Sequence, residues 1–160
     1  MSTILSRRNA LTILSGGAAA LVVSGCRRAG VGADNAPPLL ARMPPRDLAA
    51  RLDEARDGKL DILHVGPVYL FGKARIPHAR HVGEASTDDG YAAIVAELRK
   101  ISAEHQAILY CGCCPIASCP NIAPAERAAR EVGQLRAFVL DLPTTLKADW
   151  TDHGYPVEQG

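Results

Sequence analysis

The chain has 160 residues, 48% hydrophobic, 22% charged and 4% aromatic, with a formal net charge of +1. A near-neutral balance with no basic patch and few aromatics leaves no electrostatic footprint for nucleic acid. The length allows one domain and a short leader, and no internal repeat points to an array.

Residues 1–25 read as an export signal. The paired arginines of Ser6-Arg7-Arg8-Asn9-Ala10-Leu11 resemble a twin-arginine motif. Residues 11–23 are apolar, but too short and too rich in Gly and Ala for a membrane-spanning helix. They end in Val23-Ser24-Gly25-Cys26, which resembles the lipobox of bacterial lipoproteins. That resemblance implies a lipidated Cys26 as the mature N-terminus; an uncleaved N-terminal anchor is the alternative. Both place the rest of the chain on the periplasmic side of a bacterial membrane, with the membrane as partner through the anchor. The twin-arginine resemblance also implies export after folding, so a cysteine cluster would form, or load metal, before meeting the oxidising compartment. Residues 26–42 hold Gly, Ala, Asn and a Pro pair without periodicity and read as a flexible tether. Residues 43–160 form the domain.

Within the domain, Pro44-Pro45 opens a helix with Leu48, Leu52 and Ala55 at helical spacing, closed by Gly58. Residues 60–65 are a short apolar strand, broken by Gly66-Pro67. Tyr91, Ile94, Val95, Leu98 and Ile101 share one helical face. Ala107-Ile108-Leu109-Tyr110 is the next strand, bounded by polar residues. Pro124 suits the first turn of a helix that runs to Gly133. Ala137-Phe138-Val139-Leu140 is a further strand, and a last helix surrounds Trp150. This alternation predicts an α/β fold, a mainly parallel sheet flanked by helices on both faces.

The chemistry concentrates after the strand ending at Tyr110. Cys111, Cys113, Cys114 and Cys119 place four of the chain's five cysteines within nine residues. Cys111 follows the strand directly, at the carboxyl end where open α/β sheets bind ligands.

Over most of residues 46–158 the chain resembles the rhodanese-like sulfurtransferase domain. Ala74-Arg75-Ile76-Pro77-His78-Ala79 is similar to that family's Gly-His-Ile-Pro-Gly-Ala segment. Ile108-Leu109-Tyr110-Cys111 resembles the strand that delivers its catalytic cysteine. Val139-Leu140-Asp141, Trp150 and Gly154-Tyr155-Pro156-Val157-Glu158 resemble its closing segment. The run Cys-Gly-Cys-Cys-Pro, followed by Cys-Pro-Asn, looks like a distinct cysteine-rich subgroup. Three departures bear on substrate. His64-Val65-Gly66 stands where Asp-Val-Arg is common. Arg75 and His78 replace the usual His and Gly. The loop after Cys111 holds no Arg or Lys before Arg127.

The resemblance implies sulfur transfer through a persulfide on Cys111, from a small sulfur-containing anion to a thiol or other thiophile. The reactive form is the thiolate, and it needs inward-pointing loop amides. Pro115 and Pro120 each remove one amide donor. Positive charge for the donor is expected from Arg75, with Arg80 nearby, and from Arg127 in the following helix. His78 and Gly112 complete the expected binding set. Cys113, Cys114 and Cys119 are candidates to resolve the persulfide or to form disulfides, and Cys111 and Cys114 form a Cys-x-x-Cys pair. No cofactor is required on this reading. The alternatives are a thiol–disulfide or metal-handling protein, with Cys111, Cys113, Cys114 and Cys119 holding Zn or Cu(I), and a non-catalytic binding module on the same fold.

Overall fold

The computed structural model describes residues 40–160; the expected signal, Cys26 and most of the tether lie outside them. Five strands form one sheet: β1 (Ala41–Met43), β2 (Leu60–His64), β3 (Arg80–His81), β4 (Gln106–Tyr110) and β5 (Ala137–Leu140). Their order is β1-β5-β4-β2-β3, and every neighbouring pair runs parallel. The expected α/β architecture is therefore present, with an all-parallel sheet. Strand β1 begins inside the segment expected as tether, because Ala41 to Met43 pair with Phe138 to Leu140.

Period-two alternation sends each strand's side chains to two cores. One face gathers Leu63, Ala107, Leu109 and Val139 under α4 (Asp88–Leu98) and α5 (Ile122–Glu131). The other gathers Ile62, Ile108, Tyr110 and Leu140 under α1 (Pro45–Ala49), α2 (Leu52–Arg56) and α6 (Leu146–Asp149). Strand β4 lies in the middle, and Ala107 to Tyr110 are all fully buried. A central parallel strand covered on both faces needs such an unbroken apolar run.

The helices follow local rules. Thr87 caps α4 by accepting from the Gly90 amide, and Asp88 and Asp89 complement the positive end of its dipole. Helix α5 buries Ala125, Ala128 and Ala129, small enough for close approach to the sheet. It ends before Gly133, whose φ of 73° is the left-handed geometry of a C-terminal cap. The single helix expected from Pro45 to Gly58 is broken at Ala50 and Arg51 into α1 and α2. Helix α3 (Val68–Lys73) and strand β3 carry no periodicity that marks them in the sequence. The last helix is short, and fully buried Trp150 follows it, its indole donating to the Pro156 carbonyl at 2.7 Å. Among the described residues, no helix is long and apolar enough to cross a membrane.

The connections fix where a ligand crevice lies. From β2 the chain moves outward through α3 to β3, on one side. From β4 it moves through α5 to β5, on the other side. Neighbours β2 and β4 are thus the topological switch point, where parallel sheets open a crevice beyond the strands' carboxyl ends. The residues at those ends, His64 and Tyr110, are paired in register.

Candidate functional site

Cys111 is the first residue after β4, and alternation points its side chain to the α4/α5 face with Leu109. Gly112 turns the chain with a φ of 77°. A side chain on Gly112 would also strike Leu146, since a Cβ there would lie 2.6 Å from that residue's Cβ. The loop is stitched to the molecule by its own backbone. The Leu146 amide donates to the Gly112 carbonyl at 3.1 Å, and the Ile116 amide donates to the Leu142 carbonyl at 3.1 Å. A 3-10 turn at Ile116–Ser118 then brings Cys119 back under the loop.

The result is a packed thiol cluster centred on Cys113. Its Sγ lies 3.2 Å from that of Cys111, 3.0 Å from that of Cys114 and 3.8 Å from that of Cys119. All four thiols are free, with Cys111 and Cys119 buried and the other two half-buried. Buried Asn121 donates from Nδ2 to the Cys111 sulfur at 3.6 Å, while its Oδ1 accepts from the Ser86 amide at 2.9 Å. It ties the cluster to the segment after β3.

Electrostatics divides the thiols. Cys119 is lowered to about 5, chiefly because the Cys111 thiol donates to it, with further help from the Asn121 backbone amide. Cys111 is pushed up, first by giving its hydrogen to Cys119 and then by burial, against the opposing pull of the Cys113 amide. Cys114 is pushed up to about 12, chiefly by donating to Cys113. Cys119 is the thiol that collects hydrogen bonds from its neighbours.

Behind the loop sits a histidine pair. His64 Nε2 lies 3.0 Å from the Cys111 carbonyl, and His64 Nδ1 lies 3.1 Å from His81 Nδ1. A carbonyl only accepts, so Nε2 carries the hydrogen and His81 Nδ1–H donates to His64 Nδ1. Burial, then the neighbouring His81, lowers His64 to about 4. Neutral His64 is thus a fixed strut under the Cys111 backbone. On the other side of Cys111, Gly66 comes so close that a Cβ on it would lie 2.3 Å from the Cys111 sulfur.

A cavity of about 550 Å³ opens beside Cys111, Gly112 and Cys113. Lys73 and Lys147 line it, with Thr145 and Thr151. Lys73 stands over the Tyr69 ring, and Lys147 donates to Asp152 at 2.5 Å. The cations expected there are elsewhere. Arg75 pairs with Glu158 at 3.3 Å and stacks over Phe71. Arg80 is held by Asp61 and Glu97. Arg127 lies over the Tyr91 ring at 4.6 Å on the outer side of α5, and His78 is exposed with a φ of 64°. Of the expected binding set, only Gly112 lines the cavity. Lys73 and Lys147 come from α3, which had no sequence signal, and from α6, whose position opposite the loop is set only by packing.

No known family model and no curated protein matches the sequence. Solved structures do match in shape. The BH2092 protein from Bacillus halodurans superposes with a TM-score of 0.55 at 17% identity, over 74% of this chain and 77% of that one. A rhodanese-related protein from Thermoplasma volcanium gives 0.51 at 11% identity, over 75% of this chain and 99% of that one. A variant of EanB solved with hercynine gives 0.56 at 18% identity, over 75% of this chain and 28% of that longer one. At such identities the likeness is one of fold, and the fold of residues 40–160 is rhodanese-like.

Proposed function

We propose that the chain is an exported, lipid-anchored sulfurtransferase that carries sulfane sulfur as a persulfide on Cys111. The observation that carries this reading is the placement of Cys111. It follows the central strand at the switch point, beside a cavity with two lysines, inside a cluster of four free thiols. A sulfane donor of the thiosulfate class reacts as Cys111–S⁻ + ⁻S–SO₃⁻ → Cys111–S–S⁻ + SO₃²⁻, and a thiol acceptor then takes the outer sulfur. Lys73 and Lys147 supply the positive charge that an anionic donor needs. Incubating reduced protein with a sulfane donor should add the mass of one sulfur at Cys111. Cys111→Ser should abolish adduct and turnover; an adduct mapped instead to Cys114 or Cys119 would overturn the assignment. For the export part, Cys26→Ser should release the protein from the membrane fraction. Unchanged fractionation and unchanged N-terminal mass would count against the anchor.

A second reading rests on the same sulfurs. The Sγ atoms of Cys111, Cys113 and Cys119 all lie within 4.8 Å of one another, a soft donor set suited to Zn or Cu(I). Retention of about one metal ion per chain by protein that takes up no sulfur would favour it.

A further inference from the structure

We propose that Cys113 resolves the Cys111 persulfide inside the molecule, so that the domain reduces sulfane sulfur to sulfide with its own thiols. This rests on the persulfide reading above. The motivating observation is that the Cys113 sulfur sits 3.2 Å from that of Cys111, in a Cys-Gly-Cys segment turned by Gly112 at φ 77°. A closed disulfide needs its sulfurs about 2.05 Å apart. Closing the gap is a movement of roughly one ångström, within the reach of two side-chain rotations.

The step balances as Cys111–S–S⁻ + HS–Cys113 → Cys111–S–S–Cys113 + HS⁻. The Cys113 sulfur attacks the inner sulfur, the bond to the outer sulfur breaks, and its electron pair leaves with hydrosulfide, which takes the Cys113 proton. Two thiol sulfurs are oxidised and one sulfane sulfur is reduced. Exchange of this type proceeds through a thiolate. A dithiol reductant from outside must reopen the disulfide for a second turnover. A single turnover needs none.

The cluster geometry favours Cys113 over its neighbours as resolver. Cys114 contacts Cys113 at 3.0 Å, whereas the sulfur contact of Cys111 at 3.2 Å is with Cys113. Cys113 is the half-buried centre that touches every other thiol.

The test is one turnover of fully reduced protein with glutathione persulfide, read by intact mass, free-thiol count and sulfide release, with Cys111→Ser as background. Wild type should release one hydrosulfide per chain, lose two hydrogens in mass and lose two free thiols. Cys113→Ser and Cys113→Ala should stop at Cys111 with one added sulfur and no sulfide burst, with circular dichroism confirming the fold. Cys114→Ser should still release sulfide. A wild-type protein that holds the added sulfur while its other thiols stay free would overturn the inference and leave the persulfide reading standing. Sulfide release undiminished in both Cys113 variants, or a glutathione adduct on them in place of a single sulfur, would overturn it as well. Absence of any sulfur adduct across all variants would remove both.

Discussion

The two faces of the sheet treat Cys111 differently. On the α4/α5 face its thiol meets the Cys113 sulfur, Asn121 and the bare backbone of Gly66. On the opposite face its carbonyl is held by His64, backed by His81, Phe71 and Tyr110. One face holds the thiol cluster at the edge of an apolar core. The other is a packed aromatic wall that keeps its imidazole neutral. One residue at a strand end thus has its side chain and its backbone in different environments.

Trp150→Ala should test the packed face most severely. The indole is fully buried and donates to the Pro156 carbonyl, so its loss should cost about 3–5 kcal/mol in denaturant unfolding. Protein that remains folded should still form the sulfur adduct, since the thiol face is untouched. Loss of the adduct in folded protein would show that the two faces do not act separately.

Acid should weaken the same face next. His64 is lowered from 6.5 to about 4, and His81 is lowered in the same direction, by burial first. The unfolded chain binds protons there that the folded chain refuses. Stability is therefore full above about pH 6.5 and is lost as pH falls towards about 4, by on the order of 3 kcal/mol for His64. Urea unfolding across that window should show the slope, and His64→Gln should flatten much of it while still offering a donor to the Cys111 carbonyl. An unchanged slope in that variant would assign the acid sensitivity elsewhere.

Gly66→Ala attacks the thiol face. The new methyl would meet the Cys111 sulfur at 2.3 Å, so backbone or thiol must move. We expect a stability cost of about 1–3 kcal/mol and loss of the adduct at Cys111. Normal turnover would mean that the thiol has more freedom than the packing suggests. The smallest effect belongs to the cavity between loop and α6. Lys73→Ala combined with Lys147→Ala should raise KM for an anionic donor roughly two- to thirtyfold, at about 0.2–1 kcal/mol per partly exposed charge, with stability unchanged. An unchanged KM would move anion recognition to the loop amides.

Much of this fold is legible in the sequence because burial on both faces leaves strong marks. Residues 107–110 and 137–140 read as strands from apolar content alone, α4 shows its helical face plainly, and Pro124 and Gly133 mark α5. Strand β3 has two residues and α3 has six, too short for any period to emerge. The order of the strands, and hence the switch point between β2 and β4, is a matter of pairing that no local pattern states.

The site divides along the same line. The four thiols and the leading position of Cys111 follow from the order of residues, because a cysteine next to a buried strand end is placed by that strand. The partners do not. Asn121, Gly66, Lys73 and Lys147 converge on Cys111 or its cavity from segments 10 to 45 positions away by number. Nothing in their immediate neighbours marks them. Arg75 and Arg127 look suitable in sequence, but ion pairing with Glu158 and stacking on Tyr91 draw them elsewhere. Residue type and strand patterning determined which thiol stands at the end of the central strand. The charge on each thiol, the cations facing the cavity and the strut under the loop were decided only when the sheet closed, since each depends on distances between segments that chain order leaves free.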